Sequence, residues 1–186
     1  MSFNVASARA GQLTLDVRLV NERTLLRLLG RIDDDARKQV QRDIVRMASP
    51  MAGRAKQLAP ATAPLFGWAH NGRTGWRERQ VINGYRVRFG GRGFTGQSGN
   101  REFPLLTLET RNAAGAIFDW AGRKSGQQSS QFVAQLASEG WGLGWTKGAK
   151  YSRVLFPAYV AEKQNVIANI QGALDDVARR INREMR

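Results

Sequence analysis

The chain contains no cysteine. That excludes disulfide frameworks, thiolate nucleophiles and cysteine-ligated zinc together. It has one histidine, His70, set in a Pro/Gly-rich stretch with no Ser-His-Asp or Cys-His set around it. A lone loop histidine reads as a solvated side chain. No apolar run approaches the roughly 20 residues of a membrane span, and the N-terminus lacks the apolar core of a signal peptide. The expectation is a protein made in the cytoplasm, with no membrane partner. Without metal-ligand spacing or a catalytic set, no cofactor, no metal and no enzymatic activity are expected.

Negative charge is also scarce. Fifteen Asp+Glu stand against 29 Lys+Arg, a formal net charge of +14, and the excess is mostly arginine, 23 Arg to 6 Lys. Arginine grips phosphate and carboxylate with a planar fork and stacks on aromatics, so an anionic partner is expected: DNA or an acidic protein surface. Net charge by itself speaks to association and not to a specific function. The 186 residues, 42% hydrophobic and 24% charged, suit one folded domain spanning 1–186, with 1–11 as an N-terminal arm. Twenty glycines predict long loops.

Residues 12–20 alternate, with Leu13, Leu15, Val17 and Leu19 on one face, and read as a half-buried strand. Residues 22–30 carry Leu25, Leu26, Leu28 and Leu29 and stop at Gly30, a short helix. Ala36, Val40, Ile44, Met47, Met51, Ala55 and Leu58 then recur at spacings of three and four, an amphipathic helix. Asp33, Asp34 and Asp35 at its start read as dipole-matched capping acids in preference to a metal site. Pro50 either kinks that helix or starts a second one, capped by Ser49. Residues 59–75 form a Pro/Gly loop. Tyr85-Arg-Val-Arg-Phe89 alternates as a strand, and residues 104–110 and 116–120 are further strand candidates. Residues 122–130 read as an exposed loop, Ser130 as the cap of a short helix through Ala137, and Gly140, Gly142, Gly144 and Gly148 as a second loop. The last segment bears the stripe Ile167, Ile170, Leu174, Val177, Ile181 and Met185. It predicts a helix from near Pro157, about 43 Å long. The order gives an α+β fold: an N-terminal strand and helices, a central antiparallel β section with long loops, and a long C-terminal amphipathic helix.

Gly91-Arg-Gly-Phe-Thr-Gly96 matches the dinucleotide fingerprint, but no helix start follows it, so a mobile hairpin loop is expected instead. Glu102, Glu109 and Asp119 would lie on strands, where isolated acids usually pair with arginine. The most basic stretch spans 73–92. Arg73, Arg77, Arg79, Arg86, Arg88 and Arg92 face a single acid, Glu78, with Trp76, Tyr85 and Phe89 interleaved. These six arginines are the candidate DNA- or partner-facing residues, and composition does not separate a phosphate backbone from a protein surface.

Three stretches carry a resemblance to the tail-completion, or head-tail joining (neck), proteins of long-tailed bacteriophages. Gly53-Arg-Ala-Lys-Gln-Leu-Ala-Pro60 resembles the family's helix ending in a basic residue and Ala-Pro. Arg73-Thr-Gly-Trp-Arg77 resembles its Thr-Gly turn before an arginine-bearing strand. Arg153-Val-Leu-Phe-Pro-Ala158 resembles its passage into a final long helix. The resemblance implies a structural virion protein of the neck or tail: a homo-oligomeric ring, six-fold like the tail, joining head connector to tail tube near the genome exit path. Its partners would be copies of itself, other neck, connector and tail-tube proteins, and packaged double-stranded DNA. The alternative expectation is a free-standing, sequence-independent DNA-binding protein.

Overall fold

The computed structural model describes residues 12–15, 34–70, 72–90, 94–95, 101–102, 105–122, 130–142, 145–146, 149–150 and 152–184. The helix expected at 22–30, the arm at 1–11 and most of the loop at 122–130 lie outside these residues.

The chain is an α+β protein. Its main sheet has three antiparallel strands, β1 (Gln12–Leu15), β2 (Tyr85–Phe89) and β5 (Leu106–Thr110), with β5 in the centre. Leu108 stands opposite Leu13 on one side and Val87 on the other. The link from β2 to β5 carries a small hairpin, β3 (Phe94–Thr95) paired with β4 (Arg101–Glu102). Within the fingerprint-like glycine segment Phe94 and Thr95 are strand residues. A second small hairpin pairs β6 (Trp145–Thr146) with β7 (Ala149–Lys150).

Helix α1 (Asp34–Leu58) runs unbroken with Pro50 inside it, so no second helix starts there. Pro50 is exposed; its missing N–H and bulky ring fall on the solvent side, where they disturb least. Ile44, Ala48, Met51, Ala52 and Ala55 are buried. The three alanines among them let α1 pack closely between the sheet, through β2, and the C-terminal helix α5 (Leu155–Glu184). α5 has 30 residues, about 45 Å at 1.5 Å per residue. It buries Ile167, Ile170 and Leu174 of the expected stripe and also Val166, and Val177 is half-buried. Ile181 and Met185 lie where the side chains are not described.

Two short helices connect the layers. α2 (Glu78–Gly84) leads directly into β2. α3 (Ala113–Trp120) replaces the strand expected at 116–120. The Asn112 side chain accepts the Gly115 N–H at 3.0 Å as an N-cap. Ala114, Gly115, Phe118 and Asp119 are buried at helical spacing. Gly84 and Gly115 sit in a close fit around this helix, closest at Gly84. A Cβ on Gly84 would lie 2.9 Å from the Asn112 Cβ, and one on Gly115 would lie 3.1 Å from the Thr110 hydroxyl. α4 (Gln131–Ser138) starts at Ser130, whose hydroxyl accepts the Val133 N–H at 3.3 Å, as its sequence predicts.

The loop at 59–75 is anchored by aromatics. Trp68 is buried, its indole N–H donates to the Thr74 carbonyl at 2.9 Å, and its ring meets Trp76 and Phe132. Trp76 meets Phe118, which meets Trp141. Centroid spacings of 5.1 to 5.5 Å make these tilted or edge-to-face pairs, each adding roughly 0.5–1.5 kcal/mol beyond area burial. One aromatic chain thus ties the loop, α3 and α4 into the core.

Candidate functional site

The six arginines of the basic stretch do not share one environment. Arg86 lies directly opposite Glu109 in the β2–β5 register, and Arg88 lies opposite Thr107. Both side chains turn to Glu109. Arg86 donates from Nε and Nη2 to Glu109 Oε1 at 2.9 and 2.5 Å, and Arg88 Nε donates to Oε2 at 3.0 Å. Arg111 Nε is 3.7 Å from Oε1. Glu109 is only 2% exposed. A carboxylate buried on a central strand is stable only when paired and hydrogen-bonded, so two arginines of the stretch hold it in place. Their outer surfaces remain open, at 35% and 38% side-chain exposure. Arg77 and Arg79, beside and within α2, are exposed. The side chain of Arg73 and the whole of Arg92 lie outside the described residues.

Asp119 behaves differently from the arginine-paired strand acid expected of it. It sits near the end of α3, wholly buried, and its Oδ1 accepts the backbone N–H groups of Val154 at 2.5 Å and Leu155 at 3.3 Å. Burial pushes its carboxyl up to about 7; hydrogen bonds from Val154, Leu155 and Ser152 and the charge of Arg153 oppose that rise. The next N–H of α5, that of Phe156, is accepted by the Ser152 hydroxyl at 2.7 Å, and Pro157 has no N–H to satisfy. Arg153 closes the junction. Its guanidinium donates to the carbonyls of Trp141 and Phe118 at 2.6 Å and of Ala121 at 2.9 Å, above the Phe118 ring. Burial also raises the Tyr85 hydroxyl, and the charge of Asp119 adds to it.

This cluster does the work of a joint. A carboxylate at a helix N-terminus satisfies orphan donors and complements the dipole, while three carbonyls anchor one arginine. The sequence reading missed Ser152 and Arg153 in these roles. The only local signal was the Asn112 cap, which marks α3 and so removes Asp119 from a strand.

Among the described residues no group of three or more His, Asp or Glu could hold a metal ion, and no helix is long and apolar enough to cross a membrane. Asp34 and Asp35 lie in the first turn of α1, and Asp33 lies outside the described residues. Asp34 pairs with Arg37 and with Lys38 at 2.8 Å, and Lys38, then Arg37, hold its carboxyl below the usual range. The described surface exposes three large hydrophobics: Phe66, Ile117 and Val160. Phe66 is fully exposed at the tip of the aromatic-anchored loop, next to Gly67 at φ +78°. Comparison with protein-family models, curated proteins and solved structures finds no match to this chain.

Proposed function

We propose that the chain is a structural subunit of a bacteriophage neck or upper tail, one copy in a homo-oligomeric ring that joins head connector to tail tube near the genome exit path. The observation that carries the reading is where the three family-like stretches fall in the fold. The Ala-Pro at 59–60 ends α1. The segment at 73–77 leads into α2 and β2. The segment at 153–158 forms the joint into α5. Arg153 and Pro157 in that last stretch have physical work: the first anchors the joint and the second starts the helix without an orphan donor. Phe66, exposed on a loop whose Trp68 is anchored in the core, supports the reading as well. A lone exposed aromatic on an anchored loop suits insertion into a neighbour.

A ring subunit meets its neighbours through a head-to-tail interface that closes on itself. The test is the assembly state of the purified full chain by mass photometry and negative-stain imaging. Rings, six-fold by expectation, support the reading. A strictly monomeric chain at high concentration overturns it. The +14 charge favours one other reading, a free-standing sequence-independent DNA-binding protein, which would bind duplex DNA as a monomer.

A further inference from the structure

We propose that the solvent face of α1 is a binding surface for the phosphate backbone of duplex DNA. It is a different surface from the 73–92 stretch, and the ring reading does not require it. Between positions 38 and 57 this helix carries Lys38, Arg42, Arg46, Arg54 and Lys56 against one acid, Asp43. At 100° per residue Arg42, Arg46, Ser49 and Gly53 fall across the helix from the buried line of Ile44, Ala48, Met51, Ala52 and Ala55, with Lys38 and Lys56 along one edge of that face. The cations are exposed, Lys38 at 55% and Arg46 at 75% of the side chain.

Their partners leave the charge available. Arg42 donates to the Gln39 amide oxygen at 2.8 Å, a neutral group. Among the described residues neither Arg42 nor Lys56 has a carboxylate partner. Lys38 pairs with Asp34 and Asp35, and Arg46 with Asp43 at 2.8 Å. These are solvent-exposed pairs within one helix, weak enough for phosphate to replace them.

The shape of the face selects the partner. Ser49, Pro50 and Gly53 form a small-residue waist between the cations, all exposed, with open space where a Gly53 side chain would stand. A partner backbone can approach the helix there. From Lys38 to Lys56 the face spans about 27 Å, the axial length of roughly eight base pairs of duplex at 3.4 Å each. It carries no large apolar or aromatic side chain. A protein interface needs such an anchor at its centre, and a single strand needs aromatic platforms for its bases. A duplex backbone needs only spaced cations.

The test is fluorescence anisotropy of the full chain on a short duplex DNA, from about 50 to about 200 mM salt. Each phosphate contact contributes about −0.9 to the slope of log K against log salt. Replacing Arg42, Arg46 and Lys56 together by Gln is expected to weaken binding at least about tenfold at low salt and to flatten the slope by about 2.7. All three side chains are exposed, so an unchanged melting curve is the control for folding. Replacing Arg179 and Arg183 on α5 by Gln is expected to flatten the slope by less than one contact's worth. No binding at low salt, or an unchanged slope in the triple variant, overturns the proposal. So does loss of binding on Arg77→Gln plus Arg79→Gln while the α1 variant binds normally. Binding to an RNA duplex alone, or preference for polyglutamate at equal charge, also overturns it, the latter pointing to an acidic protein. Mass photometry on the same variants keeps the ring reading separate: lost DNA binding with intact rings counts against this face alone, and monomers that still bind DNA count against the ring alone.

Discussion

The carboxylate of Asp119, near the end of α3, accepts the backbone N–H of Val154 at 2.5 Å and so caps a helix that starts 36 residues further along the chain, at Leu155. That contact joins the aromatic-lined half of the core to the 30-residue helix that spans the molecule. Asp119→Ala leaves two buried N–H groups without an acceptor. A loss of about 2–4 kcal/mol of unfolding free energy is expected, and Asp119→Asn, which keeps one acceptor oxygen, should lose less. Urea denaturation of the three proteins measures this. Equal stability of Asp119→Ala and the parent chain would contradict the capping role.

The same carboxyl sets a pH dependence. Its pKa rises from 3.8 in the open chain to about 7 in the fold. A raised folded-state pKa means that the folded protein holds a proton which the unfolded chain releases between those values. The associated stability is fully present below about pH 4, declines as pH rises towards 7, and is gone above it. The expected slope approaches 1.4 kcal/mol per pH unit at most. Denaturation midpoints at fixed m-value, compared between the parent chain and Asp119→Asn, isolate the term. Parallel pH profiles for the two would count against it.

Glu109 carries a second prediction. It is buried while Arg86 and Arg88 remain partly open to water, so removing the carboxylate strands two cations against each other on one strand. Glu109→Ala is expected to lose about 2–3 kcal/mol, less than for a fully buried pair because solvent screens both arginines. Arg88→Met alone should lose less, since Arg86 keeps its two bonds to Oε1. A double-mutant cycle on Arg86 and Glu109 reads the coupling directly; a value near zero would contradict the pairing.

Much of this was legible in the sequence, for physical reasons. Tyr85–Phe89 alternates because β2 has one face on α1 and the other on Glu109. The three- and four-residue spacings of α1 and α5 survive because each buries one stripe. Ser130 is a local cap whose acceptor and donor lie three residues apart. The failure at 116–120 has an equally local cause. A short apolar run has no period of its own, and only the Asn112 cap separates helix from strand. The joint at Asp119 was not readable at all, because its partners lie far along the chain. Nor was the division of the basic stretch: that Arg86 and Arg88 serve a buried carboxylate depends on strand register, which the sequence does not print.

Phe66 separates assembly from folding. Its side chain contacts solvent, so Phe66→Ser is expected to leave stability within about 0.5 kcal/mol. The same substitution is expected to shift the oligomer distribution towards monomers, measured by sedimentation velocity. Unchanged assembly would remove this loop from the interface.

The most direct measurement is the place of the protein in the particle. Virions carrying an epitope-tagged copy would be purified, checked by mass spectrometry and imaged by immunogold labelling. A structural neck or upper-tail subunit should be present in multiple copies per particle, with gold at the head-tail joint. Intact, infectious particles that lack the protein altogether would contradict the proposed function.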